Sequence, residues 1–395
     1  MVLGNVHPTV FPEESLNEPA VDLVVRGEGE VALWEIVKNL AGEMPLSDIL
    51  GLSYREAEGF VHNDNRPYQR DLDAFPGCDY ELIRESLPGS AAPSVILTSR
   101  GCPYRCIFCS SRAVSGFTYR ANSPQRVLAE VEMMLEKYAI TNLLFADDNF
   151  VVSRKRAVEI CRLFVEKGIH KRIQWACQAR GDAIDEELAR ILHGAGCVQM
   201  SFGIETGSQR LLDLIDKNEK VEDNAQAVRA AHAAGIRTRG AFILGLPTET
   251  RAEGLATIRF AKSLPLDIAK FALATPYPGT VLLDIARKEG AEIEKDWSRL
   301  STMAGMGNVE PCYVPEGRTP AELENLQRRA HLSFYLRPSK ILAVLRGQNP
   351  EIRIGSFRGV LRYGLIAARM AGKVFVGQIR GRFGRAQRPE PTSTG

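Results

Sequence analysis

Between residues 93 and 290 two hydrophobic periods alternate along the chain. Short β-rich apolar runs are each followed by a segment whose apolar residues recur every three to four positions. The runs are PSVILTS (93–99), NLLFADD (142–148), RIQWACQAR (172–180), CVQMSFGIE (197–205), RTRGAFILGLP (237–247) and DIAKFALATPYPG (267–279). The helical segments are 123–138, 153–168, 185–196, 221–235, 250–264 and 280–290. The first has Ser123 before Pro124, a cap followed by a residue suited to the first helical turn. Six strand–helix units in series predict parallel strands joined by right-handed crossovers. A closed barrel of this kind needs eight, so the expected architecture is α/β, an open or partial barrel over residues 91–290.

The flanks lose this rhythm. VDLVVRGEGEVALWEIVKNLAG (21–42) reads as a buried strand, a turn with Gly27 and Gly29, and an amphipathic helix. A lone unit cannot bury both faces of a sheet, so residues 1–45 read as the tail of a larger α/β domain. Residues 46–90 read as a linker, with a hairpin around SYREAEGFVHN (53–63). Residues 291–395 form a mostly helical extension, basic from Arg337 to Arg388 and disordered over RAQRPEPTSTG at its end.

Composition adds little beyond solubility. The net charge of +2 and a hydrophobic share of 45% name no partner. No apolar stretch is long enough to span a bilayer, and MVLGNVHPTVFPEE lacks the basic start and apolar core of a signal peptide. A cytoplasmic location follows as an expectation, with the eight cysteines reduced or metal-bound. Cys78, Cys161, Cys177, Cys197 and Cys312 are scattered and read as core or incidental thiols.

The other three are not scattered. SRGCPYRCIFCSS (99–111) places Cys102, Cys106 and Cys109 in a C-x3-C-x2-C triplet directly after the first strand. Structural zinc takes four ligands, usually as two separated pairs, and there is no second pair here. A [4Fe–4S] cube held by three thiolates leaves one iron open. In parallel α/β sheets chemistry gathers beyond the C-terminal strand ends. Polar residues of interest stand there: Asp147 and Asp148, Arg180, Glu205, Gly245 and Glu249, and Tyr277.

The triplet, with Phe108 before its last cysteine and a six-unit partial barrel around it, resembles the radical S-adenosylmethionine (radical SAM) superfamily. The resemblance implies a [4Fe–4S] cluster on Cys102, Cys106 and Cys109, whose open iron chelates S-adenosylmethionine and whose electron cleaves it to a 5′-deoxyadenosyl radical. It further implies cofactor contacts from Phe108, from Asp147 and Asp148 to the methionine amino group, and from Arg180 to the carboxylate. Glu205 would meet the ribose, and Ile243 and Gly245 the adenine. Each of these has a plainer structural alternative, as a helix cap, a salt bridge or a turn.

The run Val24–Glu30 resembles the last unit of the Rossmann-like cobalamin-binding domain that precedes many such barrels, which identifies the cobalamin-associated class. Earlier units of that domain are not in this sequence, so cobalamin is expected in full-length relatives and weakly or not at all here. The class implies methyl transfer, cyclisation or rearrangement on a natural-product, tetrapyrrole or lipid-type substrate. It also implies an electron donor such as flavodoxin or ferredoxin, and no nucleic acid. A methylthiotransferase and a non-catalytic iron–sulfur or zinc protein are the alternatives. The segment 356–385, with arginines bordering an apolar helical face, suggests peripheral contact with a membrane.

Overall fold

The computed structural model describes residues 1–84, 94–291 and 310–345, with 297, 300–303 and 306 between the last two. The basic stretch 356–385 and the tail lie outside the described residues. The strands are β1 (Val2–Leu3), β2 (Leu23–Val25), β3 (Leu52–Glu56), β4 (Gly59–His62), β5 (Val95–Ile96), β6 (Ser99–Arg100), β7 (Arg120–Ala121), β8 (Asn142–Phe145), β9 (Gln174–Ala179), β10 (Cys197–Glu205), β11 (Arg237–Leu244) and β12 (Ile268–Leu273). The helices are α1 (Val6–Val10), α2 (Pro12–Leu16), α3 (Glu30–Leu40), α4 (Glu81–Arg84), α5 (Arg112–Ser115), α6 (Pro124–Tyr138), α7 (Arg154–Glu166), α8 (Glu186–Gly194), α9 (Gln209–Leu214), α10 (Val221–Ala233), α11 (Arg251–Ser263), α12 (Val281–Lys288), α13 (Pro320–Tyr335) and α14 (Pro338–Leu345).

Each expected strand and helix of the alternating region is present. The main sheet has the order β12-β11-β10-β9-β8-β5, and the pairs β5–β8, β8–β9 and β9–β10 are parallel. Strands follow chain order across the sheet, as in a singly wound βα array, not the reversed order of a doubly wound fold. The structure is thus α/β with a parallel sheet, as the hydrophobic periods require.

The chain divides into two compact units: 1–204 with 212–239 and 276–285, and 205–211 with 240–275 and 286–395. In the first, aromatic packing fixes the core. Phe145, at the end of β8, lies 4.7 Å from Phe150 and 5.2 Å from Trp175 of β9, centre to centre. The Trp175 indole N–H, buried with its ring, donates to the Ala195 carbonyl at 2.8 Å. Ser123, read from the sequence as a cap, accepts from Arg126 N–H, and Ser153 and Asp185 at the first positions of their segments do the same for Arg156 N–H and Leu188 N–H.

The N-terminal strands form their own sheet, β1-β2-β3-β4, in which β1 and β2 are parallel and the rest antiparallel. The hairpin read from SYREAEGFVHN is present and pairs with β2, so residues 52–62, read from the sequence as part of a linker, belong to this sheet. A small core of Val25, Ala32, Ile36, Ile49, Leu52 and Tyr54 holds it.

In the second unit, Thr250 caps α11 reciprocally with Glu253, and Thr319 caps α13. Helix α13 packs on β12. Gln327 donates to the Phe271 carbonyl at 2.7 Å, and the Tyr335 hydroxyl meets both the N–H and the carbonyl of Ala269. These side chains satisfy backbone groups at the last strand of the sheet, where an exposed edge would otherwise invite pairing.

Candidate active site

The three cysteines sit on a closed loop. Strands β6 and β7 pair antiparallel, Ser99 with Ala121 and Arg100 with Arg120, and so tie residues 101–119 at their base. Gly101 opens the loop with φ 76°, and a Cβ there would stand 2.3 Å from the Thr118 carbonyl oxygen and 2.9 Å from that of Ser115. Only glycine fits both the backbone angle and the space. The loop then folds tightly. Cys109 N–H donates to the Cys106 carbonyl at 3.2 Å, and Ile107 is held on both sides, donating to Ile215 at 3.1 Å and accepting from Leu282 at 2.9 Å. Arg112, just after the triplet, donates to the Gly279 carbonyl at 3.3 Å and 3.4 Å. This carbonyl belongs to the PYPGT turn that follows the sixth strand.

Cys102, Cys106 and Cys109 are free of disulfides and half-buried, and Phe108 is half-buried between the last two. Burial pushes the Cys102 thiol above its ordinary range; Asp148 and Cys109 raise it further, while a backbone hydrogen bond and Arg180 oppose them. Among the described residues no three His, Cys, Asp or Glu side chains converge on a point that could hold one metal ion. Three thiols on one loop are a donor set that suits a polynuclear cluster in which each thiolate takes a different iron.

Three of the other residues read from strand ends lie in the first unit. Asp147 is fully buried and its carboxylate is already engaged, accepting from Thr98 N–H at 2.6 Å, Ser99 N–H at 3.0 Å and the Thr98 hydroxyl at 2.7 Å. It pins the segment leading into the cysteine loop. Asp148 is exposed and accepts from the Ser111 hydroxyl at 2.8 Å. Arg180 is buried and paired, with Asp182 at 3.1 Å and Glu219 at 3.2 Å, and it donates to the Lys217 carbonyl at 2.7 Å. Its guanidinium also lies 3.4 Å from the centre of the Tyr104 ring in the cysteine loop. The structure therefore gathers the cysteine loop, Asp147, Asp148 and Arg180 in the first unit, with Asp147 and Arg180 serving as supports.

Glu205, Ile243 and Gly245 belong to the second unit. Glu205 ends β10 buried and at φ 64°, an uncommon angle for a side-chain-bearing residue. Ile243 is half-buried in β11. Gly245 has φ 76°, and a Cβ would press on Leu323 at 3.1 Å. Its N–H donates to Glu249 at 3.0 Å. Burial raises the Glu249 carboxyl to about 7, against lowering by the Gly245 N–H and Arg318.

Sequence reading missed Tyr104, Gly101 and the β6–β7 ribbon. Only the S-R-G-C order, a glycine wedged between a strand end and a ligand, signalled the second of these.

The profile of the radical SAM superfamily matches residues 96–261. An uncharacterised methyltransferase of Pyrococcus horikoshii is 36% identical over 366 residues, 92% of this chain and 78% of that protein. The chain belongs to the radical SAM superfamily, and with it come enzyme status, a [4Fe–4S] cluster and S-adenosylmethionine. An anaerobic magnesium-protoporphyrin IX monomethyl ester cyclase of Cereibacter sphaeroides is 28% identical over 376 residues; the match takes in 92% of this chain and 60% of the cyclase. A solved structure of the cobalamin-dependent S-adenosylmethionine radical enzyme OxsB, with aqua-cobalamin and S-adenosylmethionine bound, has the same fold. The TM-score is 0.71 at 18% identity, over 95% of this chain and 58% of that one.

Proposed function

We propose that this chain is the catalytic core of a methyltransferase that acts at carbon on a small organic or lipid-type substrate. The observation that carries it is the cysteine loop, three half-buried cysteines outside any disulfide and tied at the base by β6 and β7, in a chain similar over 92% of its length to a protein named a methyltransferase. Cys102, Cys106 and Cys109 hold the cluster, which supplies the electron that cleaves S-adenosylmethionine. Gly101, Asp147 and Arg180 keep the loop in place, and Phe108 shields its last ligand. Glu205, Ile243 and Gly245 contact the nucleoside part of the cofactor.

A second reading, ring formation on a tetrapyrrole, draws on the similarity to the cyclase. Product analysis separates the two. Methyl transfer by this chemistry consumes two molecules of methyl-labelled S-adenosylmethionine, one cleaved to 5′-deoxyadenosine and labelled methionine and one left as S-adenosylhomocysteine, its labelled methyl group passing to the acceptor. Cyclisation yields 5′-deoxyadenosine with the label still in methionine. Anaerobic incubation with reductant and tetrapyrrole or isoprenoid candidates gives labelled acceptor on this proposal, and label confined to methionine would contradict it. A methylthiotransferase receives less support.

All eight cysteines are free of disulfides, which suits a reducing compartment, and we place the protein in the cytoplasm with a flavodoxin or ferredoxin as electron donor. No helix among the described residues is long and apolar enough to cross a membrane. Peripheral contact through 356–385 is proposed from its basic and apolar composition alone. Cobalamin is proposed as a further cofactor to be tested by spectral titration, on the likeness in fold to OxsB with aqua-cobalamin bound.

A further inference from the structure

The turn between β2 and α3 carries Glu28 and Glu30, residues with no part in the site as described. Glu28 grips Arg120 with both oxygens, at 2.7 Å and 2.9 Å, and its Oε2 also stands 3.7 Å from Arg100. Glu30 accepts from Arg100 as well. Arg100 and Arg120 are the cross-strand pair that closes the base of the cysteine loop. Two guanidinium groups directly opposite one another repel, and Arg120 is nearly enclosed, its side chain 4% exposed. The Glu28 carboxylate stands beside both and supplies the compensating charge.

Arg120 reaches further. It donates to the Ser115 carbonyl at 3.0 Å and to the Thr118 carbonyl at 3.4 Å. These are the two oxygens that crowd Gly101, the residue immediately before Cys102. Its guanidinium also covers the Tyr68 ring at 4.7 Å, and that ring would collide with any side chain at Gly116. A continuous path of contacts thus runs from Glu28 through Arg120 to the backbone on both sides of the loop. The strength of a bidentate, enclosed carboxylate–guanidinium pair makes this path stiff.

From this arrangement we infer that Glu28 is a positioning residue for the cluster loop, a carboxylate latch by which the N-terminal sheet sets the conformation of residues 101–119. This rests on the reading of that loop as the cluster site. It goes beyond that reading by giving the N-terminal sheet a task that requires no corrin. Glu30 and Arg100 form the outer, more exposed half of the latch.

The test compares Glu28→Gln, Glu28→Asp and Glu35→Gln in the full chain after anaerobic reconstitution. Glu35, on helix α3, pairs with Arg66 in the segment after β4, so it controls for general loosening of the N-terminal region. Two readouts are taken: amide hydrogen exchange across 101–119, and the rate at which a chelator strips iron. Glu28→Gln is expected to speed both, iron release on the order of fivefold for loss of one enclosed charge-assisted pair. Glu28→Asp, which keeps the charge, recovers most of the protection, and Glu35→Gln matches the wild type. Glu28→Gln with wild-type exchange and release would overturn the latch, as would a Glu35→Gln effect of equal size. If Glu28→Gln does not fold, Glu28→Asp decides: intermediate exchange confined to 101–119 supports the latch, and uniform exchange across the sheet refutes it. A wild-type chain that takes up no iron would remove the cluster reading, while hydrogen exchange would still judge the latch.

Discussion

The guanidinium of Arg180, beyond the end of β9, lies 3.4 Å from the centre of the Tyr104 ring, between the first two cysteines of the triplet. The same group is the candidate contact of the cofactor carboxylate, and in the structure it packs on the cysteine loop. Asp182 and Glu219 fix it from the other side.

Arg180→Met therefore leaves Glu219 buried without its 3.2 Å partner and frees the Tyr104 ring. The expected loss of stability is about 3 kcal/mol, the scale for removing one partner of a buried ion pair, measured by denaturant unfolding. Unchanged stability with a selective loss of S-adenosylmethionine affinity would return Arg180 to the cofactor.

Gly101→Ala places a Cβ 2.3 Å from a backbone oxygen at φ 76°, where neither side can yield cheaply. Strain of about 1–3 kcal/mol is expected, concentrated in the loop. Iron retained after desalting should fall several-fold while the far-ultraviolet circular dichroism stays that of the wild type. Gly168→Ala, where a Cβ meets nothing within 4 Å, should leave iron content intact.

Asp147→Asn replaces one of the two carboxylate oxygens, which together accept from three donors in a fully buried position, with an NH2 group that cannot accept. About 2 kcal/mol of stability should be lost. Isothermal titration of the fraction that folds separates support from cofactor contact: unchanged S-adenosylmethionine affinity is expected of a residue occupied by its three protein donors, and weakened affinity would assign Asp147 to the cofactor.

The fold was legible because parallel βα arrays announce themselves by period, and here the caps Ser123, Ser153, Asp185 and Thr250 mark helix starts to within a residue. The triplet was legible because its spacing is local. Asp147 and Arg180 show where such reading stops. Both stand at strand ends in the sequence, but the direction of a side chain there depends on partners far along the chain, Thr98 for one and Glu219 for the other. Glu28 and Arg120 are 92 residues apart, and nothing in either local sequence pairs them.

Glu249 gives a pH dependence. Its carboxyl titrates at about 7 in the folded chain because burial disfavours the anion, against 4.5 as the unperturbed value. Between these values the folded state holds a proton that the unfolded state has released, so stability falls as pH rises from about 4.5 to about 7 and is level above that. Glu249→Gln keeps an acceptor for the Gly245 N–H and should flatten this slope. At pH 8 it should be more stable than the wild type by on the order of 1 kcal/mol, after allowing for the lost attraction to Arg318. Thermal unfolding across this range reads the difference directly, and parallel curves for the two proteins would rule out Glu249 as the source.

The account stands on the assignment of three thiolates to one cluster with an open iron. The decisive measurement is iron and sulfide content, with reductive cleavage of S-adenosylmethionine, after anaerobic reconstitution of the wild type and of single Cys→Ala variants. The wild type should hold about four irons and form 5′-deoxyadenosine under reductant. Cys102→Ala, Cys106→Ala and Cys109→Ala should each lose both properties, while Cys161→Ala and Cys197→Ala, core thiols of helix α7 and strand β10, keep them. A full, active cluster in any one of the three loop variants would contradict the assignment.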